Sequence, residues 1–303
     1  MTDRGATVTI RDVTPRDGLQ AEPPVPAAAR AELAIALAEA GLAHVEAASF
    51  VSPKAVPSMV GGDEVVDRLP VGVTTWWVLV PNARGAELAL ATGVASITVT
   101  VSASAGYSEK NVGRSVIDAI AGLRDIAALT GPAGTTVDVV VSCAFGSPFG
   151  DVGNPEPVVG VVDGALSAMP GCRITLADTT GTATPRRIAA VLDALPDSAS
   201  ADLGLHLHDT RGTALANALW ALEHGITRFD TATGGLGGSP FAPGAGGNLA
   251  TEDLVLVLDD LGVHTGIDLD AVLAIARSLP SLVGHVVPSR TSAAGPLPAF
   301  ETS

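Results

Sequence analysis

Leu203-Gly204-Leu205-His206-Leu207-His208-Asp209-Thr210 is an apolar run that ends on polar residues. What surrounds it decides the fold. Leu203–His206 reads as a buried β-strand, Thr213–His224 as an alanine- and leucine-rich helix, and Arg228–Thr231 as the next strand. Gly225 stands just past the helix, where a left-handed residue is favoured. The unit is therefore strand, helix, strand. In an extended strand residues two apart share a side, so His206 and His208 can face one point. Two imidazoles with a carboxylate and an amide oxygen can hold a divalent cation and leave positions open. Taken alone, the pair equally describes two hydrogen-bonded histidines without a ligand.

The same unit recurs about eight times. Strands are predicted at Val8–Asp12, His44–Ala48, Val73–Val80, Ile97–Val101, Val137–Ser142 and Ile174–Ala177, besides the two above. Helices are predicted at Ala27–Ala40, Gly62–Arg68, Ala83–Thr92, Ser115–Thr130, Pro155–Met169, Pro185–Leu195 and Asn248–Leu261. Pro155 and Pro185 suit a first helical turn, and Gly41, Gly93 and Gly262 suit helix ends. Alternation of this kind makes a parallel sheet covered by helices, and eight units fit a (β/α)8 TIM barrel, an α/β fold. No Gly-x-Gly-x-x-Gly follows a strand; Gly234-Gly235-Leu236-Gly237-Gly238 ends the last strand instead of opening the first unit. The chain is predicted to be a single catalytic domain. Its barrel spans about residues 8–265, and a C-terminal helix and tail cover about 266–303. The Pro-, Ser- and Ala-rich end from Val287 to Ser303 reads as a mobile tail or a lid.

The chain has 303 residues, 47% of them apolar, enough for one large core. Its net charge is −15, with only Lys54 and Lys110 as lysines, which argues against nucleic acid and against an anionic membrane surface. Cys143 and Cys172 form neither a disulfide framework nor a metal spacing, which points to a reducing cytoplasm. No signal peptide is read at the start. Leu88–Ser108 carries no charge, but Gly93 divides it, so it reads as a helix end, a turn and a buried strand.

Barrel enzymes work at the carboxyl ends of their strands. Asp17 follows the first strand, Glu46 and Ser49 end the second, Asp178 ends the sixth, His206 and His208 end the seventh, and Asn248 follows the eighth. Residues from opposite ends of the chain are thus predicted to meet at one rim. Cys143, ending a buried strand, reads as a small core residue.

With these residues in place, the sequence resembles the 3-hydroxy-3-methylglutaryl-CoA lyase family. The resemblance rests on Thr14-Pro15-Arg16-Asp17-Gly18-Leu19-Gln20, Glu46 to Lys54, Val141 to Ala144, Ala177 to Gly181, His206 to Thr210 and Gly246 to Asp253, in the family's order. It implies a Mg²⁺ or Mn²⁺ site made of Asp17, His206, His208 and Asn248. It implies a metal-dependent carbon–carbon lyase that cleaves a 3-hydroxy-acyl thioester, or a related β-hydroxy acid, through an enolate. Asp17 or His206 would take the hydroxyl proton, and Arg16 would stabilise the enolate oxygen. Glu46 and Asp178 would orient the site and the substrate, Gln20 and Ser49 would bind substrate, and Asp209 would support a histidine. The partner is a small acyl thioester or hydroxy acid, and alanine-rich outer helices permit a homodimer.

Two positions depart from the family. Its loop after the eighth strand reads Gly-Gly-Cys-Pro; here Gly237-Gly238-Ser239-Pro240 puts an alcohol where the family's catalytic thiol stands. The Asn-Glu-Lys-like run after Gln20 is replaced by Ala21-Glu22-Pro23-Pro24, which removes a cation that helps to receive coenzyme A. A condensing enzyme with the same enolate chemistry and a non-catalytic acyl-ligand-binding relative are the alternatives. The short C-terminal region favours cleavage over condensation, and retention of every ligand residue argues against loss of catalysis. Non-haem iron oxygenases also use two histidines and a carboxylate, but in β-rich folds.

Overall fold

A computed structural model describes residues 7–196, 199, 202–238 and 246–298. Eight parallel strands close into a barrel: β1 (Thr9–Asp12), β2 (His44–Ser49), β3 (Thr75–Val80), β4 (Ser96–Ser102), β5 (Thr136–Ser142), β6 (Arg173–Asp178), β7 (Leu203–Leu207) and β8 (Arg228–Thr231). Pairing of β1 with β8, from Thr9↔Arg228 to Asp12↔Thr231, shuts the ring and sets the carboxyl ends of the first and last strands side by side. The expected TIM barrel is the observed one.

Alternation along each strand sorts two layers. Val78, Val80, Ile97, Val99, Val101, Val139, Val141, Leu205 and Leu207 are buried in the apolar core between sheet and helices. The lumen holds charge instead. Arg11 grips Asp230 with Nε and Nη2, both at 2.9 Å, and approaches Asp138 with Nη1 at 3.0 Å. Arg228 meets the same Asp138 at 3.2 Å and Asp202 at 2.8 Å. The floor between these groups keeps a cavity of about 10 Å³, room for a single water.

Several helices start where polar side chains take up free backbone N–H groups. Asn82, Ser115, Thr184 and Asp268 accept from Gly85, Asp118, Arg187 and Ala271, respectively. The four glycines expected beyond helix ends all have positive φ. Among the described residues no helix is long and apolar enough to cross a membrane. The charge-free stretch 88–108 divides into the end of the helix Ala83–Ala91, β4, and the start of the helix Ala105–Val112.

That last helix is absent from the sequence reading. It is mostly exposed and polar, so its apolar period is faint, but Ser104 caps it by accepting from Tyr107 N–H at 3.0 Å. The helix expected from Asn248 starts only at Thr251, because the three residues before it are drawn into backbone pairing at the rim. The tail needs the larger correction. Val287, Ser289 and Thr291 are buried, and a short helix forms at Arg290–Ala294. Asp253 accepts from Ser289 Oγ at 3.1 Å and from Thr291 N–H at 2.8 Å, docking this segment on the helix Thr251–Asp260. The part of the tail beyond residue 298 lies outside the described residues.

Beside Asp253, the carboxylate of Glu252 is fully buried and accepts from Gly234 N–H. Burial dominates and raises its pKa from 4.5 to about 7. A carboxyl raised on folding stabilises the protein below its unfolded pKa, and the contribution is lost as pH rises through the folded one. Stability is therefore expected to fall between pH 4.5 and 7, by on the order of 3 kcal/mol from this group. Glu252→Gln should flatten that slope in urea titrations across the same pH range.

Candidate active site and metal centre

His206 and His208 lie two apart at the end of β7, and their Nε2 atoms approach to 3.2 Å. Asn248 reaches them through the backbone. Asp209 N–H donates to Gly247 O and Leu249 N–H to Leu207 O, each at 2.8 Å, which sets His208 opposite Asn248. On the other side Ala232 N–H donates to Leu249 O at 2.9 Å, so residues 247–250 are laid between the ends of β7 and β8. Only glycine fits two positions here. A Cβ on Gly247 would lie 1.8 Å from Gly235 O, and one on Gly237, where φ is 107°, would lie 2.5 Å from Asn248 Nδ2.

Across the rim, Thr14–Gly18 forms a π-helical turn, with Gly18 N–H donating to Val13 O at 3.1 Å. Such turns are rare outside functional sites. This one carries Arg16 and Asp17. Arg16 Nε donates to Glu46 Oε2, and its Nη1 donates to Asp17 Oδ1 at 2.6 Å. Thr98 Oγ1 donates to the other oxygen of Glu46. Glu46 and Ser49 are three residues apart and would normally face opposite sides. A bulge in β2 intervenes, pairing Glu46 with Trp77 and Ser49 with Leu79, two residues on the same side of β3. Ser49 is buried, and its Oγ has no protein partner.

Asp17, His206 and His208 each offer a ligand atom, all within 4.8 Å of one another. Asn248 Nδ2 donates to Asp17 Oδ2 at 2.8 Å and to Leu236 O at 2.9 Å, leaving its buried Oδ1 without a partner. Burial opposes ionisation of Asp17, but Arg16, with help from both histidines, outweighs it and holds the carboxyl at about 2. Burial, then the neighbouring His206, hold His208 down at about 4, so it is neutral. On His206 burial is outweighed by the hydrogen bond to Asp230 and the charge of Asp17, so its pKa is raised. Two imidazole nitrogens facing each other beside a carboxylate repel unless a proton or a cation lies between them. With the orphaned amide oxygen, this donor set fits a divalent cation that prefers mixed nitrogen and oxygen ligands.

The structure thus unites Arg16, Asp17, Glu46, His206, His208 and Asn248, with Ser49 buried at the carboxyl end of β2. Gln20 is half-buried, and its backbone carbonyl accepts from Ser58 Oγ at 2.6 Å. Asp178 does not join the cluster. Its two oxygens accept from Thr182 N–H at 2.7 Å and Ala183 N–H at 3.0 Å, so it organises its own turn. Asp209 does not support a histidine: it accepts from Ala214 N–H at 2.9 Å and pairs with Arg290 at 3.1 Å. The support comes from Asp230, 3.2 Å from His206 Nδ1. A signal for it was present, since a charged residue on a short buried strand needs a partner. Ser239 lies outside the described residues. Burial pushes the Cys143 thiol up to about 12, in keeping with a core role.

The HMGL-like family model matches residues 7–279. The (R)-citramalyl-CoA lyase of Chloroflexus aurantiacus is 41% identical over 96% of this chain and 95% of its own length. The hydroxymethylglutaryl-CoA lyase of Pseudomonas mevalonii is 39% identical over 95% of this chain and 96% of its own. Among solved structures, an HMG-CoA lyase from Acinetobacter baumannii in complex with coenzyme A and 3-methylmalate superposes with a TM-score of 0.90. It is 38% identical and covers all of both chains.

A cation bound only by the folded protein stabilises it, by about 2.7 kcal/mol at 100 times its dissociation constant. Mn²⁺ is expected to raise the melting temperature and a chelator to reverse the rise. Gly237→Ala, whose new methyl meets Asn248 Nδ2, should weaken that response, measured by calorimetric titration with Mn²⁺.

Proposed function

Because the chain belongs to the HMGL-like family, we propose that it cleaves a coenzyme A thioester bearing a tertiary 3-hydroxyl and a carboxylate. It is a carbon–carbon lyase. One observation carries the substrate reading. A guanidinium locked by two carboxylates stands beside a cluster of two imidazoles, a carboxylate and an amide oxygen, all at the carboxyl end of the barrel. Hydroxymethylglutaryl-CoA and citramalyl-CoA, after which its relatives are named, both offer the two oxygens such a cluster can hold.

Asp17, His206, His208 and Asn248 would hold Mg²⁺ or Mn²⁺, which supplies a Lewis acid that makes the substrate hydroxyl more acidic. The chain's own residues then divide the work. His206 has both nitrogens engaged, Nδ1 with Asp230 and Nε2 within the cluster, so it is poorly placed to take a proton. Asp17 keeps lone pairs beyond its bonds to Arg16 and Asn248, and we assign it the hydroxyl proton. As that proton leaves, the C–O bond becomes a carbonyl. The bond between C2 and C3 breaks, and its electron pair passes into the thioester as an enolate. Arg16, fixed through Nε and Nη1, has Nη2 without a hydrogen bond among the described residues, to meet the enolate oxygen. Protonation at carbon completes an acetyl thioester, and the other fragment leaves as a keto acid. Ser239, standing where the family has a thiol, is the weaker acid for that last transfer.

Purified protein with Mn²⁺ is expected to release acetyl-CoA with acetoacetate from hydroxymethylglutaryl-CoA, or with pyruvate from citramalyl-CoA, as read by mass spectrometry. Chelation should abolish release. Arg16→Gln should lower kcat by about 10²–10³-fold, and Ser239→Cys should raise it, by up to roughly 10²-fold where protonation limits turnover. Absence of products from both thioesters, with native and Ser239→Cys protein alike, overturns the substrate assignment.

A further inference from the structure

The two histidines of the cluster are not held alike. His208 Nδ1 is buried and has no protein partner, whereas His206 Nδ1 lies 3.2 Å from Asp230 Oδ2. Among the described residues Asp230 is the carboxylate within hydrogen-bonding distance of that nitrogen. Asp17 lies toward Nε2, at 3.9 Å, and Asp209 is engaged elsewhere.

The chemistry of Asp230 is restricted by what grips it from below. Arg11 donates to both of its oxygens at 2.9 Å in a forked pair, the geometry in which a guanidinium holds an ionised carboxylate. An ionised carboxylate can only accept. The hydrogen bond to His206 must therefore carry its proton on Nδ1. A neutral imidazole with Nδ1–H has its lone pair on Nε2, the nitrogen that faces His208 and Asp17.

We propose that Asp230 is a positioning residue for the metal centre, fixing His206 as the Nδ1–H tautomer so that Nε2 presents its lone pair to the cation. Arg11 acts one step further back, fixing the rotamer of Asp230 from inside the lumen. The inference rests on the metal site described above. It assigns Asp230 no contact with substrate. An amide in its place can donate as well as accept, so both His206 tautomers become accessible, and the wrong one turns an N–H toward the cation.

The test uses the full-length chain stripped of metal and titrated with Mn²⁺, with free Mn²⁺ read by electron paramagnetic resonance. Asp230→Asn is expected to raise the dissociation constant by about 10–100-fold. Its circular dichroism should match the native protein, and saturating Mn²⁺ should restore much of the lost kcat. In the native protein saturated with Mg²⁺, histidine ¹⁵N resonances should show His206 Nδ1 protonated. Native protein that binds Mn²⁺ beside an Asp230→Asn variant that binds it within about threefold overturns the inference alone. An unprotonated His206 Nδ1 in the native spectrum does the same, even if the variant fails to fold. Native protein that binds no Mn²⁺ removes the metal centre itself, and the inference with it.

Discussion

Arg11 is the buried cation on which the interior of the barrel turns. Its guanidinium lies over Trp77 at 4.9 Å, forks onto Asp230 and reaches Asp138, which also meets Arg228 and accepts from Thr175. Placing ions in such a space costs several kcal/mol each, and the cost is offset only where every charge has its partner in good geometry. Removing one member leaves another uncompensated, at about 3–5 kcal/mol. The lumen is thus a poor source of net stability, which must come from the apolar layer between sheet and helices. What the lumen supplies is position. Side chains in an ion-paired network have little freedom, and this network ends at His206.

The rim uses backbone for the same purpose. Residues 247–250 sit between the ends of β7 and β8 because glycines let the chain approach within van der Waals limits. Asn248 is then followed at once by the helix Thr251–Asp260, and Asp253 in its first turn clamps Ser289 and Thr291. Ser289 N–H in turn donates to Gly234 O at 3.0 Å, at the start of the glycine-rich loop. Asn248, forty or more residues from His206 and His208, is held by strand-like pairing on one side and by the C-terminal segment on the other. Sites held to this degree lose little entropy on binding a cation.

The barrel was legible because its evidence is repetitive: eight strand periods, four of them followed by helix-ending glycines, leave little room for another fold. The cluster of candidate ligands was legible because alternation places His206 and His208 on one side and the strand ends place Asp17 and Asn248 beside them. Interactions between distant residues were harder to read. Asp209 follows His208 directly and was an attractive support for it, but its oxygens serve the next helix and Arg290. Asp230, from a different strand, does that work for His206, and sheet register alone reveals it, through His206↔Asp230. Asp178, which ends a strand, is held by two N–H groups of its own loop, contacts that strand alternation does not reveal. The bulge that brings Glu46 and Ser49 to one side leaves no mark in a pattern of period two.

Net charge also reads differently once residues have places. At −15 the chain opposes long-range attraction of an anionic thioester, but exposed charges beyond about 8 Å are largely screened at physiological ionic strength. The local set then matters more. Arg187 donates to the carbonyls of Phe145 and Thr182, and Arg211 to those of Thr180 and Gly181, all on loops following β5 and β6 at the rim. A carbonyl orients a guanidinium without cancelling its charge, whereas the carboxylate on Arg173 at the barrel floor does cancel it. The acidic surplus therefore coexists with positive charge held on the loops after β5 and β6. Arg16 is the contrasting case, neutralised by Glu46 and Asp17 before substrate arrives. The role proposed for it toward an enolate rests on fixed donors more than on net charge, because donors already oriented need no reorganisation as the oxygen gains charge.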